Sequence, residues 1–352
     1  MAFVPGSAAA ARAALSPRNR RQIAFWLLAV AGLIFVMVLV GGATRLTESG
    51  LSIVDWRPVT GALPPMDQQD WMVEFDKYRT SPQYQQVNKG MSLAEFKEIY
   101  WWEWGHRLLG RLIGFAFALP FVAFLLLGRV ERPLIPKLAV LFFLGGMQGA
   151  LGWFMVASGL VDRPSVSHYR LAAHLSLAIL IYLALLWTAW GLIDPRDDAT
   201  DDAAHRSAGR WVWTALAAAG IQVVLGAFVA GLRAGLTYNT WPLMDGDLVP
   251  DHLFMQNPWW VNFFENITMV QFQHRTFAWV VVALALAAAW RAARLGLNRP
   301  AAMVGLAVIA QFMLGIITLL EVVPVSLGVA HQGGAVVVLT TLVWLLHRLR
   351  SH

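Results

Sequence analysis

An all-α, polytopic membrane protein of eight transmembrane helices, built as two pseudo-symmetric four-helix bundles, is the fold class this sequence predicts. Three observations predict it. Of the 352 residues, 58% are hydrophobic and only 14% charged, with a mean hydropathy of +0.56, whereas soluble domains average about 25% charged residues. Eight apolar runs are each long enough to cross a bilayer, for which about 20 residues suffice. A set of short motifs occurs twice, once in each half of the chain.

The N-terminal segment, residues 1–21, is Ala-rich and acid-free and is expected to be a disordered tail. Arg12 and Ser16 in such a segment also fit a short mitochondrial presequence. Arg18, Arg20 and Arg21 then precede an apolar run that is longer than a signal-peptide core and lacks a small-residue cleavage site, so the first helix is read as uncleaved. The eight runs lie near Ile23–Gly42, Trp104–Leu127, Leu138–Leu160, Leu171–Leu192, Trp211–Leu232, Ile267–Trp290, Ala301–Val322 and Gly328–Leu346. Backbone polar groups in lipid must be satisfied within their own segment, so each run is expected to be helical.

The connections alternate in charge. One set holds Arg18, Arg20 and Arg21, then Arg129, Arg132 and Lys137, then Arg196, Arg206 and Arg210, then Arg291, Arg294 and Arg299, then Arg348 and Arg350. The opposite set includes a long loop with Asp245, Asp247, Asp251 and Glu265 against Arg233. The positive-inside rule places both termini in the cytoplasm or the matrix; the membrane expected is the cell inner membrane, ahead of the mitochondrial one. The short loop with Asp162, Arg163 and Arg170 fits less well, and the long loop 43–102 escapes the rule by its length. The net charge of +6 sits mostly in short loops, so it reads as topology and not as nucleic-acid binding. The chain has no cysteine, which excludes disulfides, thiolate metal sites, Cys-ligated iron–sulfur clusters and covalent c-type haem.

The repeat relates two units in the same orientation, the parallel type of membrane repeat. Gly50–Pro58 (GLSIVDWRP) matches Gly235–Pro242 (GLTYNTWP) with one gap. Glu103–Arg107 (EWGHR) matches Gln271–Arg275 (QFQHR), and Gln148, Leu151 and Gly152 match Gln311, Leu314 and Gly315. The stretch ending at His174 matches the one ending at His331. The expected division is therefore a half at 22–205 and a half at 206–352.

The repeat carries four histidines, His106, His174, His274 and His331, near the outer ends of the second, fourth, sixth and eighth helices. The other five lie in loops or near the C-terminus. One histidine at a helix end is more often structural than a ligand. Four at matched places, on non-adjacent helices of each bundle, can face one another across its interior, which is how bundles build cofactor sites. Two facing imidazoles suit haem iron, whereas zinc or copper would need three or four ligands. Arg107, Arg111 and Arg275 then meet haem propionates at the wet surface, the alternative being snorkelling to the interface. The small residues Gly145, Gly146, Gly149, Gly152, Ala330, Gly333 and Gly334 either make room for a flat macrocycle or pack helices closely. Glu103 stands three residues before His106, and Gln271 three before His274. A carboxylate can take a proton or stabilise a cation far better than an amide. The N-terminal half is therefore read as the reactive haem site and the C-terminal half as a stable cofactor site, with a neutral swap at a wet surface as the alternative.

From Arg20 to His347 the chain resembles the haem A synthase family, membrane proteins that convert haem O into haem A. The matching pieces are Gly41–Ser52, Glu103–Arg111, Leu171–His174, Gln271–Arg275 and Gly328–Gln332. The resemblance implies haem b held by His274 and His331, substrate haem O near His106 and His174, and Glu103 required for chemistry. It implies oxidation of a haem methyl to a formyl group through an alcohol, for terminal oxidase assembly. A haem O synthase is the expected neighbour, along with an electron acceptor or donor and the lipid around it; homo-oligomerisation is left open. One branch of the family carries cysteine pairs in its outer loops, and this chain departs from that pattern. If both His106 and His174 bind iron, no position is open for oxygen. Either one histidine leaves, or electrons are withdrawn and water attacks the activated methyl carbon, with Glu103 as base or cation stabiliser. The rival readings are a di-haem b electron-transfer cytochrome, opposed by four histidines near one face, and a haem carrier without chemistry, opposed by Glu103.

Overall fold

The computed structural model describes residues 16–56, 60–161, 164–194 and 203–351. The expected tail up to residue 15, Asp162, Arg163 and Arg196 lie outside the described residues. Eight helices are long and apolar enough to cross a membrane. We label them α1 (Pro17–Leu46), α2 (Leu93–Leu126), α3 (Ile135–Ala157), α4 (His168–Ile193), α5 (Ala203–Gly231), α6 (Ile267–Ala293), α7 (Asn298–Leu320) and α8 (Val325–Ser351). All eight expected spans are present, and no strand occurs among the described residues.

Helix ends differ from the apolar runs where capping chemistry extends them. Helix α1 begins at Pro17, inside the segment expected to be tail. Proline suits the first turn because its missing N–H has no helical partner there, and the Ser16 hydroxyl accepts from Asn19 N at 3.3 Å. Helix α2 begins eleven residues ahead of its apolar run, at a capping box in which Ser92 Oγ accepts from Glu95 N and Glu95 Oε2 accepts from Ser92 N at 2.7 Å. Three more turns of α2 thereby rise out of the bilayer. Against them folds the first long loop, with short helices at Gln68–Arg79 and Pro82–Gln86. Trp71, Phe75, Tyr78, Tyr84, Phe96 and Tyr100 form a separate aromatic core beneath this loop, with Tyr78 and Phe96 wholly buried.

The helices pack as two rings of four. Helix α1 contacts α2 and α4, α3 contacts α4 and, sparsely, α2; α5 contacts α6 and α8, and α7 contacts α6 and α8. The rings join through α1 with α8 and α4 with α5, with α4 also against α8. In lipid, helix association depends on close packing and on hydrogen bonds between helices. Both are present at the α1–α8 seam. A Cβ at Gly333 would lie 2.6 Å from Leu39, and the Gln332 amide donates to the Val38 carbonyl at 2.8 Å. At the loop ends the halves are tied again, by an Arg233–Glu48 ion pair at 2.6 Å and by Arg45 donating to the Ala230 carbonyl at 3.0 Å.

The loop core makes a prediction. Phe96→Ala removes a buried ring that sits 5.0 Å from Phe75 and 5.2 Å from Tyr78, at a cost of about 3–5 kcal/mol. Limited proteolysis should then cut between residues 64 and 92 much faster than in the parent, with all eight helices still inserted. An unchanged cleavage pattern would mean that the loop does not depend on this core.

Candidate functional site

Each of the four histidines lies against a glycine of the helix before it in the chain. A Cβ on Gly41 would lie 3.0 Å from His106 Cε1, on Gly152 2.9 Å from His174 Cε1, on Gly226 3.1 Å from His274 Cε1, and on Gly315 2.8 Å from His331 Cε1. At Gly152 and Gly315 a methyl would force the ring to move, and at Gly41 and Gly226 it would press the ring back by a few tenths of an ångström, so glycine is what lets each imidazole lie close along the neighbouring backbone. Four residues before three of these glycines stands a glutamine, and positions four apart share a helix face. Gln148 Nε2 donates to the His174 carbonyl at 3.0 Å and lies 3.2 Å from its Nδ1. Gln222 does the same to His274 at 3.0 and 3.2 Å, and Gln311 to His331 at 2.8 and 3.1 Å. The structure thus contains one cradle four times, a glycine and a position four residues earlier on each odd helix, and a histidine on each following even helix.

The cradles bring the predicted histidines together in pairs. His106 and His174 are within electrostatic reach of each other, as are His274 and His331. No cluster of three or more His, Cys, Asp or Glu side chains suited to a metal ion occurs among the described residues. This donor set fits an iron already held in a macrocycle, which asks of the protein only axial ligands. His168, expected in a loop, instead opens α4, buried against Gly231, and His347, near the C-terminus as expected, is buried in α8 5.4 Å from Trp187.

Glu103 and Arg107 are one turn apart and organise the start of the first loop. Glu103, 3% exposed, accepts from Ser52 Oγ and Ile53 N, both at 2.8 Å, and pairs with Arg107 at 2.7 Å. Arg107 also donates to the carbonyls of Ile53 at 2.9 Å and Asp55 at 3.2 Å, and its guanidinium lies 5.5 Å from the Trp56 ring. The second half repeats this with one reversal. Gln271 Nε2 donates to the Tyr238 carbonyl at 2.9 Å, Arg275 donates to the Thr240 carbonyl at 2.7 Å, and its guanidinium lies 5.2 Å from Trp241. The carboxylate takes a main-chain N–H where the amide gives to a main-chain carbonyl. Arg107 is therefore committed to the loop more fully than the sequence suggested, whereas Arg275 keeps a buried Nη1 without a hydrogen bond, open to an anionic group. Arg111 lies one turn further along α2, half-buried.

Sequence reasoning found the histidines and the glutamines Gln148 and Gln311 but missed Gln222, Gly226 and Gly41. The signal was present: QGALG, QVVLG and QFMLG end at Gly152, Gly226 and Gly315. A search for a two-helix repeat, instead of a four-helix one, would have shown it.

The cradle predicts that Gly226→Val displaces the His274 ring, because the new Cβ meets Cε1 at 3.1 Å. Were an iron macrocycle held between His274 and His331, its retention should weaken at least ~10-fold, the scale at which support of a metal ligand is felt. Gly220→Val, into open space on the same helix, is the control. Equal haem absorbance in both variants would refute the close approach.

The comparisons with known proteins agree on one family. The family described as cytochrome oxidase assembly protein matches residues 24–343. The chain is 56% identical over 331 residues to the haem A synthase of Parvibaculum lavamentivorans, covering 94% of this chain and 95% of that protein. It is 54% identical over 346 residues to that of Rhodospirillum centenum, covering 96% and 90%. It is 50% identical over 336 residues to that of Nitrosospira multiformis, covering 94% of each.

Proposed function

We propose, from the premise that the chain belongs to the haem A synthase family of cytochrome oxidase assembly proteins, a reaction site in the N-terminal half and a resident cofactor in the C-terminal half. The reaction is the oxidation of a methyl group of haem O to the formyl group of haem A, within a multi-pass membrane protein. In our reading His106 and His174 take the substrate, while His274 and His331 hold haem b. The halves divide at about residue 205, within the first turn of α5.

One observation carries this division of roles. In the C-terminal half the seam between α6 and α7 is closed by Trp279 and Phe312, 4.6 Å apart, with Trp241 5.9 Å from Phe312 and 6.2 Å from Trp279. At the matched places between α2 and α3 stand Arg111 and Gly149, and a Cβ on Gly149 would meet nothing within 4 Å. A cofactor that stays suits a sealed seam. A substrate that must enter from the membrane and leave as product suits an open one.

The chain's own residues then have separable tasks. His274 and His331, braced by Gln222 and Gln311, hold the resident haem, which when bound supplies one-electron transfer. Arg275 Nη1 is placed for a propionate. Glu103 is held by three donors, an arrangement that favours a fixed group stabilising positive charge over a mobile base. In our reading the membrane is the cell inner membrane, and the termini face the cytoplasm because Arg129, Arg132, Arg206, Arg210, Arg291 and Arg294 gather on the connections of that side. The oxidation requires an electron acceptor or donor, and a haem O synthase is the neighbour expected by analogy with the family.

The test is Glu103→Gln, the residue found at the matched place in the other half. Haem extraction and chromatography from cells making only this variant should show haem O accumulating, haem b retained, and haem A formation lowered about 10²- to 10⁴-fold. Near-normal haem A would refute a chemical role. Loss of all haem would show that the carboxylate serves only to dock the loop at Ser52 and Ile53.

A further inference from the structure

Three of the four histidines are braced by glutamine, and the fourth is not. On α1 the place four residues before Gly41 is held by Met37. A thioether donates nothing and accepts weakly. His106 Nδ1 is accordingly buried with no hydrogen bond, while the Nδ1 atoms of His174, His274 and His331 each have a carboxamide within 3.2 Å. The Met37 Cε reaches toward α2 one turn beyond His106, where it would lie 3.5 Å from a Cβ on Gly110. The glycine of the cradle is kept at Gly41, so the ring is placed like the others and differs only in what steadies it.

That difference has a chemical meaning. An imidazole that binds a metal through one ring nitrogen carries its proton on the other. An acceptor for that proton fixes the ring and raises its basicity, and its loss typically weakens binding 10- to 100-fold. Each clamping glutamine has such an acceptor. Its Nε2 is fixed by the histidine's own carbonyl, and its Oε1 is buried and otherwise without a hydrogen bond in Gln148, Gln222 and Gln311. Turning the amide end for end exchanges the Nε2 bond to the carbonyl for one from Nδ1–H to Oε1, so the group that can accept the ring proton already stands beside it. For His106 no such group exists among the described residues.

Resting on the reading that substrate haem lies between His106 and His174, we propose that Met37 makes His106 an exchangeable ligand of the substrate iron. The coordination bond on the α2 side opens while His174 and both ligands of the other half stay. No electrons move in this step: the iron–imidazole bond breaks, and the vacated position accepts a small neutral ligand. An open position on the iron is compatible with Glu103 as a fixed stabiliser of positive charge, and Met37 names which histidine opens it. Met37 is a positioning residue, acting through His106 by what it withholds.

Carbon monoxide binding to the reduced iron tests this without reference to turnover. Full-length protein in detergent is loaded with excess haem O, its haem counted by pyridine haemochrome, then reduced and mixed with CO. The parent should form a CO adduct at one of two haems. Met37→Gln should slow or weaken that adduct at least ~10-fold, and Met37→Leu, equally unable to hold the ring, should match the parent. The reciprocal change, Gln222→Met, should make the second haem CO-reactive. Met37→Gln binding CO like the parent would overturn the proposal. If that variant does not accumulate, Gln222→Met decides, and an inert haem there overturns the clamp argument. A chain that never carries more than one haem would instead contradict the two-site reading on which the proposal rests.

Discussion

The structure depends on imidazole rings lying flush against the backbone of a neighbouring membrane helix. Each such contact needs a glycine on the facing helix, and it needs the two helices in one register and at one separation. The requirement appears four times, at Gly41, Gly152, Gly226 and Gly315. Ionisable groups at membrane depth are costly unless they are paired or functional. Placing four histidines at these sites therefore ties each even helix to the odd helix before it. The two rings of four helices, and the repeat between them, follow from satisfying the same constraint in each half.

Function arises where the halves depart from that repeat. The carboxylate of Glu103 replaces the amide of Gln271, and the direction of the main-chain hydrogen bond reverses with it, from Ile53 N to the Tyr238 carbonyl. Gly149 replaces Phe312, and the aromatic seal present in one half is missing from the other. Met37 replaces Gln222. All three changes sit on the same side of the molecule's internal symmetry, the half to which we assign the reaction.

Much of this was legible in the sequence. Eight spans, their order and the histidine pairs follow from apolar run length and from motifs that recur at matched places. What escaped was of two kinds. Helix ends such as Leu93 and Pro17 are set by capping at Ser92 and Ser16, which a hydropathy reading ignores. Beyond Ser52 and each other, Glu103 and Arg107 bind main-chain atoms of Ile53 and Asp55, and main-chain partners leave little trace in side-chain identity. The glutamine clamps were half seen because the repeat was read in units of four helices, whereas the cradle recurs every two.

The central claim is that each half holds its own haem between its own pair of histidines. Low-temperature EPR of oxidised, haem-loaded protein tests it most directly. Two low-spin signals are expected, His274→Ala should abolish one and leave the other, and His174→Ala should do the reverse. A single substitution that erases both signals, or neither, would contradict the account.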